Sequence, residues 1–475
     1  MSQQTRSGLL EKTLKNLRKA WQGIAGAAYD ESAASMQPDL PDDDAERLRQ
    51  QMHACLEAQG GEVSARARAA ALGRAYMALN ETGRERFLLV LAEDFDVDRE
   101  RIDTSIETLQ ASLDLDTRCL AESRLRKELR APRIELLRQF NALPEGVKFL
   151  VDMRADLLDA VRRHPPLRGL EQDLKELLRT WFDVDFLELR RIAWDTASAS
   201  LLEKLIAYEA VHRIESWDDL KNRLDSDRRC FAYFHPRMPD EPLIFVEVAL
   251  VDGMADNVQA LLDENAPVID PETADTAIFY SISNAQRGLA GISFGNFLIK
   301  RVADTLSGEF KGLKDFATLS PVPGFCRWLE SRLAEGDKDL LTSSDRKILS
   351  SLETETSGSK GKLKSLMEGR AWVDNNEIDD LVKPLLMRLC AQYLVHEKSD
   401  DKGLRVLDPV AHFHLSNGAR MERLNWRGDL SEKGLRQSAG MMINYRYKLS
   451  AVEENHENYT SKGKVVTSSS MRSLM

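Results

Sequence analysis

No stretch of this 475-residue chain approaches the ~18 consecutive apolar residues of a membrane-spanning helix. Its five cysteines, Cys55, Cys119, Cys230, Cys326 and Cys390, are scattered and form no CxxC pair. That argues against a disulfide framework or a zinc ribbon and fits a reducing compartment. Positive charge is not in excess: 66 Lys and Arg stand against 77 Asp and Glu, a formal net charge of -11. An acidic chain is a poor nucleic-acid binder, although a local basic patch can still hold a small polyanion. Histidine is scarce, at eight residues. The N-terminal MSQQTRSGLLEKTLKNLRKAW lacks the apolar core of a cleavable signal. It is basic and amphipathic, which fits a transit peptide or an ordinary first helix; the acidic residues that follow so soon favour the helix.

What is present is ample apolar material, 43% of residues, enough for two to four domains. Residues 10 to 180 read as helix throughout. A capping box is expected at Thr82-Gly83-Arg84-Glu85, opening a helix through Phe87, Leu88 and Leu91. Pro144 precedes another, with Val147, Leu150, Val151, Leu157, Leu158 and Val161 at helical spacing. His164-Pro165-Pro166 stops it, and 167–187 forms one more helical segment. The arginine-rich helix 65–78 reads as a solvated face. After about residue 182 the texture changes. Residues 243–251 (LIFVEVALV) are apolar on both faces, as a buried strand requires, and 277–282 (AIFYSI) form a second such strand. A glycine-bearing loop (QRGLAGISFG) follows, and then a helix from Asn296. Mixed strands and helices imply an α/β or α+β region. Residues 353–362 (ETETSGSKGK) read as a polar surface loop, and the tail beyond Ser461 as poorly ordered.

Three segments carry candidate chemistry. Val410-Ala411-His412-Phe413-His414-Leu415-Ser416 alternates with period two. Read as a strand, it places His412, His414 and Ser416 on one face and apolar residues on the other. Asn417-Gly418 then turns the chain. Histidine exchanges protons near neutrality, so His414 is a candidate catalyst, or alternatively a hydrogen-bonded core residue. An HxH metal pair would need a third ligand such as Glu422 or His235, and no standard spacing supports it. The strand, glycine loop and helix at 277–302 form a candidate anion site, because glycines let backbone N–H groups approach a phosphate at a helix N-terminus. Arg287 adds a cation there. Gly291-Ile292-Ser293-Phe294-Gly295 also spells GxSxG, but a nucleophile elbow needs its serine directly after the strand, and here about ten residues intervene. Finally, Leu319-Ser320-Pro321-Val322-Pro323-Gly324-Phe325 is a rigid turn whose prolines hold Ser320 at a strand end.

Taken together, FHPRMPDEPLIFVEVAL from Phe234, AIFYSIS from Ala277, GNFLIKRV from Gly295, LSPVPGF from Leu319, FHLSNGA and NYRY resemble the malonyl-CoA decarboxylase family across about residues 230 to 450. The resemblance implies two domains: an all-helical oligomerisation domain over 1–181, and a GNAT-type acetyltransferase-like catalytic domain over 182–475. It implies a homotetramer, malonyl-CoA as substrate, acetyl-CoA and CO2 as products, and no metal or organic cofactor. It assigns Ser320 and His414 as the catalytic pair and Tyr447 to their hydrogen-bond network. It places substrate on Ala290, Gly291, Ile292, Ser293, Phe294, Gly295 and Asn296. Ser293 stands where animal members carry an acidic residue. The chain ends Arg-Ser-Leu-Met, not in the Ser-Lys-Leu peroxisomal signal, so a bacterial cytoplasmic enzyme is expected. Two other classes stay open: a serine hydrolase of acyl thioesters using Ser293 or Ser320, and a non-catalytic CoA-binding scaffold.

Overall fold

Apolar residues three and four apart give most helices in the first half of the chain a buried stripe, the pair Arg99–Ala111 and Leu115–Glu128 excepted. A computed structural model describes residues 17–22, 24, 36–57, 61–182, 186–292, 298–337, 339–352, 358–370, 372–399 and 403–475. Eight helices run from Asp42–Leu56 through Glu62–Ala78, Glu81–Glu93, Arg99–Ala111, Leu115–Glu128, Arg133–Asn141 and Gly146–Ala160 to Leu167–Trp181. Two expectations change here. The third of these helices is capped by Asn80, whose side chain accepts from Gly83 N at 2.9 Å, so it opens before the Thr82 box. The arginine-rich helix Glu62–Ala78 is mostly interior: Ala69, Ala70, Leu72 and Tyr76 are buried, while Arg66, Val63 and Ala78 are exposed.

Eight strands follow: β1 Glu188–Ile192, β2 Arg228–His235, β3 Met238–Val251, β4 Thr276–Asn284, β5 Asp315–Thr318, β6 Ser320–Pro321, β7 Arg420–Asn425 and β8 Met442–Arg446. They form one sheet in the order β1-β2-β3-β4-β5-β8-β6, with β7 also on β8. Every pairing is antiparallel except β4 with β5. That parallel pairing ends at Phe279↔Thr318, while β4 runs on to Asn284. A bulge sits at the same point, since Glu247 faces Ser281 but Val248 faces Phe279, leaving Tyr280 as the extra residue. Past it the two strands part and leave a cleft. One continuous apolar core joins the helices to one sheet face, from Phe149 and Leu150 to Tyr233, Val246 and Phe279. The other face is covered by Leu202, Leu205, Phe234 and Phe245.

The period-two stretch is not a strand. Pro409–Ser416 is a helix. Asp408 accepts from the backbone of Val410 at 3.0 Å and Ala411 at 2.9 Å, and Pro409 fills the first helical position. A capping aspartate followed by proline outweighs a seven-residue alternation. Two further expectations fall. Ser359–Gly369 is helical, so part of the polar loop belongs to that helix, and 353–357 lie outside the described residues. The tail is anchored: Thr467 bridges Met421, Ser469–Arg472 is helical and Met471 is fully buried.

The Asn417-Gly418 turn stands where expected. Gly418 has φ +80, and a Cβ there would meet Val452 O at 2.1 Å. Both the left-handed backbone and the contact demand glycine. Gly418→Ala is expected to cost about 2 kcal/mol or more, read as a lower midpoint in urea denaturation with an unchanged slope.

Candidate active site

His414 sits in the last turn of the Pro409–Ser416 helix, 3% exposed, with both ring nitrogens engaged. Its Nε2 lies 3.0 Å from Ser320 Oγ, and its Nδ1 lies 2.8 Å from the Tyr447 hydroxyl. Ser320 Oγ in turn donates to Thr318 Oγ1 at 2.8 Å. A serine has one proton to give, so His414 carries its hydrogen on Nε2 and donates it to Ser320. Nδ1 then accepts from the Tyr447 phenol. The imidazole stacks on Tyr445, with ring centroids 4.5 Å apart, and meets Phe413 edge-on. Burial alone pushes its pKa down to about 3, so it is a neutral imidazole at physiological pH. Burial likewise holds the Tyr447 phenol well above its ordinary range.

The sheet fixes Ser320. Leu319 N bonds Phe279 O at 3.0 Å, and Ser320 pairs with Ile443 across β6 and β8. Asn444, fully buried, donates to Thr318 O at 2.8 Å and accepts from Asn425 at 2.8 Å. Thr318 Oγ1 also accepts from Tyr445 N at 3.2 Å. Tyr447 is set by its own backbone N–H, which bonds Phe316 O at 2.7 Å. Asp408 holds the helix carrying His414 and accepts from the Tyr393 hydroxyl at 3.1 Å. Thr318, Tyr445 and Asn444 were not singled out from the sequence. The motif NYRY contains Asn444 and Tyr445, and Thr318 lies just before LSPVPGF, but only the strand pairing shows that they meet.

A pocket of about 240 Å³ opens where β4 and β5 part. Ser320 and His414 line it together with Phe279, Ile282, Val410 and Phe413. Its wall is mainly apolar, and it runs along β4 to Asn284. Tyr447 stands behind His414, outside the lining. The chain leaving β4 forms a short turn, Arg287–Leu289, and reaches Ala290, Gly291 and Ile292. These three residues lie beyond the pocket lining; Ala290 O accepts from Arg154 of the Gly146–Ala160 helix, and Gly291 lies near Lys175 of the next helix. Ser293, Phe294, Gly295 and Asn296 lie outside the described residues. The described part of the next helix is Leu298–Glu309.

The two histidines of the HxH pattern part company. His412 Nδ1 pairs with the Tyr459 hydroxyl at 2.8 Å, on the side of the helix away from Ser320. His235 is engaged by Trp181 O and Arg237 N, and Glu422 by Arg420. Among the described residues no group of three His, Cys, Asp or Glu is placed to hold a metal, so the HxH metal reading fails. On a helix, positions two apart point in different directions.

Comparison with known proteins agrees with this architecture. Residues 185–475 match the malonyl-CoA decarboxylase C-terminal domain, and residues 95–182 match the malonyl-CoA decarboxylase N-terminal domain. The mitochondrial malonyl-CoA decarboxylase of Anser anser anser is 38% identical over 408 residues, 82% of this chain and 80% of that protein. Its counterpart in Mus musculus is 36% identical over 482 residues, 96% of this chain and 93% of that protein. The crystal structure of malonyl-CoA decarboxylase from Rhodopseudomonas palustris superposes with a TM-score of 0.81 at 42% identity, covering 90% of this chain and 99% of that one. That from Agrobacterium vitis gives 0.81 at 39% identity, with the same coverage. With both family domains matched in order and relatives similar along nearly the whole chain, this protein belongs to the malonyl-CoA decarboxylase family.

Proposed function

We propose that the protein converts malonyl-CoA to acetyl-CoA and CO2 at the Ser320–His414 pocket. The observation that carries this reading is a neutral, fully engaged histidine lining an apolar pocket, with its Nε2 hydrogen aimed at Ser320. Malonyl-CoA carries a carboxylate β to a thioester carbonyl. Its C–C bond breaks, CO2 leaves, and the electron pair becomes an enolate whose charge rests on the thioester oxygen. The substrate is its own electron sink, so this chemistry needs no cofactor. The apolar wall strips water from the carboxylate, and Ser320, turning its hydroxyl from Thr318, donates a hydrogen bond to it or to the enolate. His414, protonated once the malonyl carboxylate is beside it, delivers the proton to carbon, directly or through Ser320, and returns to the neutral imidazole. Release of CO2 from malonyl-CoA by purified, EDTA-treated protein tests the proposal, and absence of release defeats it.

The division into a helical domain over 1–181 and a GNAT-like catalytic domain over 182–475 belongs to the same reading. Its support is the parallel β4–β5 pair that separates beside the pocket; in this proposal an acyl-CoA lies in the gap with its pyrophosphate on residues 290–296. Homotetramer assembly is proposed through the helical half. There the hairpin of Arg99–Ala111 and Leu115–Glu128 exposes Leu113 at 98%, Leu115 at 75% and Leu120 at 73%. A bacterial cytoplasmic location belongs to the same proposal. Separately, among the described residues no helix is long and apolar enough to cross a membrane.

A hydrolase reading is favoured by one feature, the 3.0 Å serine–histidine contact. Against it, the histidine's other nitrogen meets a phenol, where a hydrolytic triad places a carboxylate. Rapid-quench mass spectrometry with malonyl-CoA separates the two: decarboxylation leaves Ser320 unmodified and releases no burst of free CoA, and an acyl adduct on Ser320 or Ser293 overturns the mechanism. Ser320→Ala is expected to lose activity yet retain measurable turnover.

His414→Asn should lower kcat by at least about 10²-fold while the melting temperature stays near that of the parent. His412→Asn, whose partner is Tyr459, should be far milder. Near-parental kcat in His414→Asn would remove histidine from the chemistry.

The pH dependence follows from charge. In the empty pocket burial holds His414 down at about 3. The malonyl carboxylate beside it favours the protonated form, raising the pKa in the complex by an expected 1–3 units, as a close opposite charge does. Binding therefore takes up a proton, and affinity is greatest at low pH and falls as pH rises toward the raised value. Acetyl-CoA has no carboxylate and shares the CoA titrations. The ratio of KM for malonyl-CoA to Ki for acetyl-CoA should rise from about pH 4 to about pH 6, the interval the raised value spans, and level off above it, and a ratio flat over that interval contradicts the pairing.

A further inference from the structure

The segment that carries the substrate loop is not held by the sheet that delivers it. It is held by the helical half. After β4, Arg287-Gly288-Leu289 makes a single turn against the Gly146–Ala160 helix. Arg154, in the middle of that helix and 1% exposed, donates from Nη1 to Gly288 O at 2.5 Å and to Ala290 O at 3.0 Å. Its Nη2 donates to Glu171 Oε1 at 2.6 Å, on the neighbouring helix Leu167–Trp181. Gly288 packs so closely that a Cβ would stand 1.7 Å from Val151 O. One turn beyond Glu171, Lys175 brings its Nζ to 3.5 Å from the place of a Cβ on Gly291, which has φ +72.

We propose that Arg154 is a positioning residue for acyl-CoA binding: from the helical half it fixes the carbonyls of Gly288 and Ala290, and so sets the backbone that leads into the CoA-binding loop. This rests on the assignment of residues 290–296 to CoA. The physical argument is that two carbonyls sharing one guanidinium must point the same way. The N–H groups of Leu289, Ala290 and Ile292 close on the carbonyls of Gln286, Arg287 and Leu289, so the turn is satisfied within itself and the guanidinium sets where it delivers the chain to Gly291. A buried arginine with one carboxylate partner and two carbonyl partners is costly to place, and the fork geometry is what makes it serve both sides at once. Lysine carries the charge but lacks the fork. The helical half is then part of the binding machinery, and subunit packing is not its only use.

The test compares Arg154→Lys and Gly288→Ala with the parent in full-length protein. The first loosens the clamp from the helix side; the second lifts the turn off the helix and leaves no buried charge unpaired. For each, the oligomeric state and melting temperature are measured first. Then the Kd for CoA is measured by calorimetry, and KM and kcat for malonyl-CoA by CO2 release. Both variants are expected to raise the CoA Kd and the KM by about tenfold, with kcat within threefold of the parent. Such a pattern corresponds to lost binding with the chemistry intact. Hydrogen exchange at residues 286–292 should be faster in both. A merely structural role would lower the active fraction and kcat and leave Kd and KM unmoved, and that result overturns the proposal. So does parental CoA affinity in either folded variant. The CoA measurement needs no turnover, so a parent that binds CoA but releases no CO2 would sink the decarboxylase reading and leave this one standing. A parent that does not bind CoA would sink this one.

Discussion

Everything at the site depends on keeping one imidazole neutral, dry and doubly bonded. His414 gives up the water that would charge it and receives in exchange Ser320, Tyr447 and the face of Tyr445. An unpaired ring nitrogen in that setting would cost ~1–3 kcal/mol, so the geometry of all three partners is constrained together. The sheet meets that constraint by bringing β5, β6 and β8 side by side, which places Thr318, Ser320, Tyr445 and Tyr447 around one ring. The helix meets it from above, through Asp408 at its start and Gly418 at its end. The parting of β4 from β5 then opens space on the one side of the ring that the protein leaves free.

The same economy links the two halves of the chain. Their apolar core is continuous, and the turn after β4 is fastened to the Gly146–Ala160 helix by Arg154 and by the bare backbone of Gly288. A loop that must fit a ligand gains little from rigidity of its own, because a loop's backbone groups need partners and its residues lose entropy when fixed. Docking it on a preformed helix supplies the partners at once. This accounts for a buried arginine in a helix otherwise filled by Val147, Leu150, Val151 and Leu157.

How much of this was legible beforehand depended on the range of the signal. The buried strands β3 and β4 announced themselves as apolar runs, and the proline turn at Ser320 as a strand end. The motifs LSPVPGF and FHLSNGA pointed to the two residues that now stand 3.0 Å apart. The secondary structure around His414 was misread. Seven residues cannot separate a period of 2 from 3.6 when a cap decides the matter, and the Asp408-Pro409 pair was the signal to weigh. His412 was wrongly placed beside His414 for the same reason. The Tyr445 and Asn444 bonds to Thr318 and the reach of Arg154 to Gly288 are contacts between residues more than 100 apart, and no local pattern encodes them. The tail was expected to be loose because it is polar, yet a single buried side chain, Met471, and the Thr467 bridge suffice to seat it.

The partner on Nδ1 decides what kind of enzyme a serine–histidine contact makes. A carboxylate there would stabilise an imidazolium and let the histidine withdraw the serine proton, the requirement of acyl transfer. Tyr447 offers a neutral hydroxyl, and burial keeps it neutral, so nothing on the protein's side pays for a positive ring. The described surroundings of His414 contribute no charge to its titration; desolvation is the sole cause of its low pKa. The charge must then come from what enters the pocket. In the proposed reaction a malonyl carboxylate brings it, and loss of CO2 moves that charge to the enolate without removing it. The proposed proton transfer then runs from the ring, charged while the anion is present, to carbon, and leaves the imidazole neutral beside an uncharged acetyl group. A site built this way has no drive to activate a nucleophile and holds an acid only while the substrate is bound.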